Sequence, residues 1–284
     1  MIPNPKTIYI LGAGFTRAFY EDAPLMMGEF LKDDSKFENL ECAYRILKLE
    51  RKRNLDKNID IESLMTRLYN LMPYDSEGQK KELNLLLFEI KKSFIDKLEA
   101  AKSGKNHEKD LLNFANYCVE KSIDCITFNN DDFFDKMLME VKRVTFQDKN
   151  TKKEYWHPDG GYGFFCRPSI SLIKRPNRSM DVTTMLLLKL HGSINWRIKQ
   201  GYSSPYNIDA IVHDDLWSLN EELTQEDIKN INSHLEEQPF IIPPILAKSA
   251  FVEQPILKVI WSKAYQILKM AETGNIYRLF FSYY

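Results

Sequence analysis

Residues 7–19 read Thr-Ile-Tyr-Ile-Leu-Gly-Ala-Gly-Phe-Thr-Arg-Ala-Phe, and this stretch decides the fold. A short run rich in β-branched and aromatic residues enters a Gly-Ala-Gly turn, after which Phe15, Ala18 and Phe19 recur at helical spacing. The pattern predicts a strand, a tight turn and a helix. This is the first βα unit of an α/β domain.

A long helical region follows this unit. Two stretches carry apolar residues at the spacing of one helical face. Their members are Leu83, Leu87, Ile90, Phe94 and Leu98 in one and Ile61, Leu64, Met65, Leu68 and Met72 in the other. The next strand-like run is residues 124–128, so we predict a helical insertion over about residues 25–120.

The remaining segments alternate between strand and helix patterns. Strands are predicted at residues 124–128, 185–190, 240–242 and 276–281, helices at 133–141 and 256–270, and loops and hairpins at 155–168. This alternation predicts a parallel sheet covered on both faces. We therefore expect one Rossmann-like domain over residues 1–284, with its core in residues 1–24 and 121–284.

Composition limits the classes of function. Lys and Arg number 39 against 40 Asp and Glu, so there is no global basic field for nucleic acid or an anionic membrane. No apolar run reaches the roughly 18 residues of a membrane-spanning helix, and the amino terminus does not resemble a secretion signal. Four scattered cysteines form no C-x-x-C pair. We expect a cytoplasmic protein with reduced thiols.

Polar residues follow three predicted strands. The first strand ends in the glycine turn, the second in residues 127–131 (Thr-Phe-Asn-Asn-Asp), and the third in residues 189–193 (Lys-Leu-His-Gly-Ser). Because ligands of open parallel sheets bind beyond the carboxyl ends of the strands, the sequence predicts one shared site there. A histidine in such a cleft can accept a proton near neutral pH.

Each motif alone has a simpler interpretation. The glycine turn could be an ordinary βα turn, and Arg17 replaces the third glycine of the dinucleotide fingerprint, which argues against a nicotinamide dehydrogenase. Asn129 or Asp131 could cap the following helix, and a lone histidine after a strand, such as His191, is often structural. Their coincidence at three strand ends favours a functional site.

Together these residues resemble the sirtuin-like NAD-consuming domains, in particular the branch found in bacterial anti-phage defence. That family carries Gly-Ala-Gly-aromatic-Ser/Thr, Thr-x-Asn-Tyr-Asp and Lys-Leu-His-Gly-Ser, which correspond here to residues 12–16, 127–131 and 189–193. Further similarity at residues 156–163, 241–244 and 260–261 spreads over almost the whole chain. Asn130 departs from the usual aromatic residue, which we expect to alter a pocket wall rather than the chemistry.

The resemblance implies a role for each residue. By this resemblance, Asn129 would be the amide that contacts the nicotinamide ribose and orders a water, His191 would be the base against that ribose, and Asp131 would be the nicotinamide-side contact. The glycine turn with Phe15 and Thr16 would hold the pyrophosphate and cover the cofactor. The implied cofactor contacts are Gly12, Ala13, Gly14, Phe15, Thr16, Thr127, Asp131, Gly192, Ser193 and Ser282.

The implied activity is hydrolysis of NAD, without a metal, by an effector of anti-phage defence. Sirtuin deacylases carry a four-cysteine zinc module, whereas this chain has no paired cysteines and its other histidines lie at spacings that do not suggest ligands. Those histidines are His107, His157, His213 and His234. The alternatives are a non-catalytic module that binds NAD or ADP-ribose and, less favoured, a protein deacylase.

Family members continue beyond the last strand with an acidic loop and a helix. Here Phe280 replaces the usual glycine and the sequence stops soon after Ser282, which predicts a shortened form. We expect apolar surface at Phe280, Phe281, Tyr283 and Tyr284 to be covered in a homo-oligomer or by a partner defence protein. The isolated chain should then bind NAD weakly.

Overall fold

The computed structural model describes residues 7–24, 37–53, 61–146, 156–174, 183–200, 211–214, 223–242, 255–271 and 276–279. The chain divides into two compact units, the first with residues 1–21, 106–241 and 251–284, the second with residues 22–105 and 242–250. Ser282 and the predicted association surface at Phe280, Phe281, Tyr283 and Tyr284 lie outside the described residues. Within those residues, no helix combines the length and apolar character needed to span a bilayer.

The first unit contains all eight described strands and six helices. Its strands are β1 (Ile8–Leu11), β2 (Asp124–Thr127), β3 (Arg167–Pro168), β4 (Leu187–Lys189), β5 (Gly192–Lys199), β6 (Ile211–His213), β7 (Leu235–Ile241) and β8 (Ile276–Leu279). Its helices are α1 (Ala13–Phe19), α5 (Glu108–Glu120), α6 (Phe133–Phe146), α7 (Pro158–Gly161), α8 (Gln225–Ser233) and α9 (Pro255–Ala271). The second unit contains α2 (Glu41–Arg53), α3 (Ile61–Tyr69) and α4 (Glu77–Ala101).

A parallel sheet forms the centre of the first unit. Its strands lie in the order β4-β2-β1-β8, and every neighbouring pair is parallel. All residues of β2 and β4 are buried, which explains why these strands are continuous apolar runs rather than alternating ones. The prediction of a mixed α/β chain with a parallel sheet is confirmed.

A second, mixed sheet differs from the prediction. Its strands lie in the order β3-β6-β5-β7, with β5 antiparallel to both neighbours. The prediction that residues 240–242 belong to the parallel sheet is wrong, because residues 240 and 241 form the end of β7, which pairs with β5, and residue 242 follows the strand. The predicted strand at 185–190 is also shorter, because Leu190 and His191 form the turn that leads from β4 into β5.

Two other segments also differ from expectation. The predicted helical insertion over about residues 25–120 includes α5, but α5 belongs to the first unit and packs against α6. Residues 155–168 were expected to form loops and hairpins, and the described part contains the short helix α7 and strand β3. Strand β3 pairs with β6, much later in the chain, so a local pattern does not predict it.

The second unit is built on the predicted apolar faces. Four of the five predicted residues on α3 are buried within the helix, whereas Met72 lies beyond its end. On α4, Leu86 is buried rather than the predicted Leu87. The helix begins at a capping box in which the backbone N–H of Gln79 donates to Ser76 Oγ and the backbone N–H of Ser76 donates to Gln79 Oε1.

An ion pair fixes the segment between α3 and α4. Arg67 Nη2 donates to both carboxylate oxygens of Asp75, at 2.8 and 3.0 Å, and the Met72 N–H donates to the same carboxylate at 2.7 Å. These hydrogen bonds to the charged form lower the pKa of Asp75 below its ordinary value of 3.8. The carboxylate therefore stabilises this unit when it is ionised.

Asp75→Asn should lower the thermal unfolding midpoint at pH 7. Because the pKa is lowered by folding, the stabilisation is fully present above 3.8 and is lost as the pH falls through the folded-state pKa. The midpoints of wild type and variant should therefore converge in acid. Glu77→Gln, which removes an exposed pair with Lys80, is the control and should change little at any pH. A difference that persists unchanged in acid would contradict the assignment.

Candidate functional site

The site is built at the carboxyl edge of the parallel sheet. The Phe128 N–H donates to the Leu11 carbonyl at 3.2 Å, and the Leu190 N–H donates to the Thr127 carbonyl at 2.9 Å. These bonds continue the sheet pattern one residue beyond the ends of β2 and β4. The segments that carry Asn129 and His191 therefore leave the sheet from fixed positions.

Asn129 joins the second strand end to the glycine turn. Its Nδ2 donates to the Gly12 carbonyl at 2.9 Å and to Thr16 Oγ1 at 2.7 Å, and its backbone N–H donates to Thr127 Oγ1 at 3.0 Å. The side chain is half-buried. Two of the three predicted strand-end motifs are thus in direct contact.

Asp131 is buried and holds the starts of two helices. Its Oδ2 accepts the Thr16 hydroxyl at 2.7 Å, and its Oδ1 accepts the N–H of Phe133, the first residue of α6, at 3.2 Å. Burial raises the pKa of the Asp131 carboxyl, although the Lys189 ammonium and the Thr16 hydroxyl act in the opposite direction. Of the two proposed helix-capping residues, Asp131 therefore bonds to α6, whereas Asn129 bonds to the glycine turn.

His191 is half-buried in the turn between β4 and β5. Its ring stands edge-on to Phe128, with ring centroids 5.4 Å apart and an interplanar angle of 70°. Asn130 Nδ2 donates to the His191 carbonyl at 2.7 Å, and the Asn130 carbonyl accepts the Ile194 N–H at 2.8 Å. Asn130 therefore fixes the turn that presents His191, a role that the expectation of an altered pocket wall did not include.

Gly192 and Ser193 lie inside the second sheet, at the start of β5. Gly192 has φ +76°, and a Cβ there would lie 2.2 Å from the Phe240 carbonyl oxygen of β7. Ser193 is fully buried and donates from Oγ to the Asn130 carbonyl at 3.4 Å. Packing of the two strands thus accounts for this glycine without a ligand.

Gly12 contrasts with Gly192. Its φ of −114° and ψ of −178° are extended values that any residue adopts. A Cβ at this position would meet no atom within 4 Å. Neither backbone conformation nor packing requires glycine here, and the space beside this peptide is open.

A small cavity lies between the carboxyl ends of β1, β2 and β4 and the helices α1 and α6. Its volume is about 10 Å³, close to the space that one water molecule needs. Five of the predicted site residues line it, and the rest of the lining comes from the sheet and α6. The lining residues are Leu11, Phe15, Thr16, Thr127, Asn129, Asp131, Phe134, Asp135, Leu187 and Lys189.

A buried ion pair forms the floor of the site. Lys189 Nζ lies 2.9 Å from Asp135 Oδ2 and also donates to the Asp131 carbonyl, and both side chains of the pair are 1% exposed. Asp135 accepts the Tyr162 hydroxyl at 2.5 Å, and Asn195 Nδ2 donates to that hydroxyl at 2.9 Å. None of these four residues is among the site residues predicted from the sequence. The available signal was a lysine inside an apolar strand, which requires a buried acceptor.

Two histidines that are far apart in the sequence, His157 and His213, both lie close to the Asp159 carboxylate. His213 Nε2 lies 2.7 Å from Asp159 Oδ1, and His157 Nδ1 lies 3.6 Å from Asp159 Oδ2. His157 Nδ1 also accepts the Asp159 N–H at the start of α7. Across the described ranges, no group of three or more His, Cys, Asp and Glu side chains could hold a metal ion. All four cysteines are buried, and none of them forms a disulfide.

No model of a known protein family matches the chain, and no curated protein is significantly similar to it.

Lys189→Met should destabilise the protein by about 3–5 kcal/mol, because it leaves the buried Asp135 carboxylate without its cation. Asp135→Asn should also destabilise the protein, and the double variant should lose less free energy of unfolding than the two single variants together. Urea unfolding of all four proteins measures this coupling. Lys102→Met, at an exposed pair with Glu99, is the control and should cost under about 1 kcal/mol. Additive effects of Lys189→Met and Asp135→Asn would show that the two charges are not coupled.

Proposed function

We propose that this protein hydrolyses NAD to nicotinamide and ADP-ribose. The proposal begins from the resemblance to sirtuin-like domains. One observation supports it most: Gly12, Thr16, Asn129 and Asp131 are joined by hydrogen bonds at the carboxyl edge of a parallel sheet. His191 follows the adjoining strand. Residues far apart in sequence would thus form one cleft.

The strand order is compatible with a Rossmann-like arrangement. From β1 the chain reaches β2 and β4 on one side and β8 on the other. In open α/β sheets, ligands bind where the strand order reverses in this way. The open space beside Gly12 would let a pyrophosphate approach the backbone, and the nicotinamide ribose would then lie toward Asn129 and His191.

The reaction requires positioning more than a strong nucleophile. The bond between C1′ of the ribose and the pyridinium nitrogen breaks, and its electron pair goes to nicotinamide. Water then adds to the oxocarbenium-like carbon and releases one proton. Asn129 would orient the water and a ribose hydroxyl, and neutral His191 would accept a hydrogen bond from that ribose. An ordered polar site of this kind lowers the barrier by preorganisation.

The proposal includes a biological setting, an effector of bacterial anti-phage defence, which rests on the resemblance alone. Cellular NAD should fall after phage infection in bacteria that express the wild-type chain with its native neighbouring genes. It should not fall with Asn129→Ala. Equal NAD levels in both cultures, together with equal phage yield, would argue against this setting.

Chromatography of NAD incubated with the purified protein tests the chemistry. Nicotinamide and ADP-ribose in equal amounts are the expected products. Unchanged NAD with saturable binding would instead identify a non-catalytic binding module. Nicotinamide release only in the presence of an acylated peptide would identify a deacylase.

Asn129→Ala and His191→Ala should each reduce NAD cleavage by about 10²–10⁴-fold, the usual cost of losing a positioned polar or proton-accepting group. Matched controls are Asn116→Ala and His234→Ala, because both residues are exposed and lie outside the site. Circular dichroism should show that all four variants are folded. Wild-type turnover in a folded Asn129→Ala or His191→Ala protein would remove that residue from the mechanism.

Gly12→Val should weaken NAD binding by about tenfold or more while changing the unfolding midpoint little. The extended backbone accepts valine, and its side chain would occupy the open space that the pyrophosphate needs. Gly192→Ala is the contrasting variant and should destabilise by at least about 1–3 kcal/mol, because φ is positive and Phe240 is in the way. Calorimetric titration and thermal unfolding measure the two effects. Unchanged NAD affinity in Gly12→Val would place the pyrophosphate elsewhere.

A further inference from the structure

We infer that Thr16 and Asp131 are positioning residues that turn the carbonyl oxygen of Asn129, not its amide nitrogen, toward the substrate. The inference rests on the proposed function for the identity of the substrate. It goes beyond that function in assigning the polarity of the site. It also gives Asp131 a role different from the nicotinamide contact that the resemblance implies.

The first step is the orientation of the Asn129 amide. A backbone carbonyl can only accept, and the Gly12 carbonyl lies 2.9 Å from one end of this side chain. That end must therefore be Nδ2. Its second proton goes to Thr16 Oγ1 at 2.7 Å, so both amide protons are used inside the protein.

The second step is the direction of the Thr16 hydroxyl. The hydroxyl carries one proton, and Oγ1 already accepts from Asn129. Its proton therefore goes to Asp131 Oδ2, at 2.7 Å. The hydrogen bonds run one way, from Asn129 through Thr16 to Asp131, because a carboxylate accepts and does not donate.

The third step is the anchoring of Asp131. Its other oxygen accepts the Phe133 N–H, and its backbone carbonyl accepts from the buried Lys189. The acceptor at the end of the relay is thus held by α6 and β4. Thr16 is itself 7% exposed, so little water competes for its hydroxyl.

The consequence concerns what the site can bind. With both amide protons committed, Asn129 offers Oδ1, an acceptor, to the substrate. The matching group is a donor, either a ribose hydroxyl or the attacking water. Without this relay, the Asn129 amide could rotate and present its N–H group to a ribose hydroxyl or water that also donates. The hydrogen bond between Asn129 and the substrate or water would then be lost, and with it their alignment.

Thr16→Val tests this relay, because valine has the same shape but no hydroxyl. The kcat for NAD cleavage should fall about tenfold, in line with one lost hydrogen bond. The unfolding midpoint should also fall, because the buried Asp131 carboxylate loses its donor, and circular dichroism should show that the variant is still folded. Thr16→Ser should restore kcat to near the wild-type value. Thr66→Val, which removes a hydroxyl bonded to the Glu62 carbonyl outside the site, should change nothing. A Thr16→Val enzyme with wild-type kcat, or no rescue by Thr16→Ser, would overturn the inference.

A second measurement needs no activity. In protein labelled with ¹⁵N-asparagine, the side-chain amide signal missing from Asn129→Ala identifies Asn129. Its two protons should exchange with solvent more slowly than those of exposed Asn116, and Thr16→Val should accelerate the exchange. Equal exchange in wild type for Asn129 and Asn116 would overturn the assigned orientation. Slow exchange without NAD cleavage or binding in wild type would instead refute the proposed function and leave the relay intact.

Discussion

The structure of the first unit depends on one buried ion pair, between Lys189 and Asp135. An ammonium group without a partner in the interior is too costly to retain, so the position of β4 is tied to that of α6. The same carboxylate accepts from Tyr162, which in turn accepts from Asn195 on β5. One acceptor thereby fixes the parallel sheet, a helix, the segment after α7 and the second sheet relative to each other.

The candidate site extends this network toward the surface. Lys189 also donates to the backbone of Asp131, and the Asp131 side chain continues through Thr16 to Asn129 and the carbonyl of Gly12. Each group in this series is placed by the one behind it. The free energy needed to orient these polar groups is spent when the protein folds, not during the reaction. Dipoles that are already oriented in this way can accelerate a reaction because they need not reorganise in the transition state.

Local patterns in the sequence predicted the first βα unit and the apolar faces of the long helices, but not the strands β3, β5 and β6 of the second sheet. The strand, turn and helix at residues 7–19 and the buried face of α3 are legible because their period is local. The pairing of β7 with β5 cannot be predicted from a local pattern, because it brings Phe240 against Gly192, 48 positions earlier in the sequence. The partner of Lys189 likewise lies 54 residues away. The sequence predicts that the polar residues at the strand ends lie close together, but it does not predict which of them form hydrogen bonds with each other.

That distribution changes how such a motif should be interpreted. A cluster of polar residues at strand ends suggests that every member meets a ligand, yet a buried polar group must first satisfy its own neighbours. Thr16 and Asp131 bond to one another and to the starts of the helices, and Gly192 is required by strand packing. The open space beside Gly12 has no such internal explanation. A ligand-binding role is therefore best argued for residues whose type is not explained by packing or hydrogen bonding. Strand packing explains the glycine at position 192, whereas nothing within the described part of the protein explains the glycine at position 12.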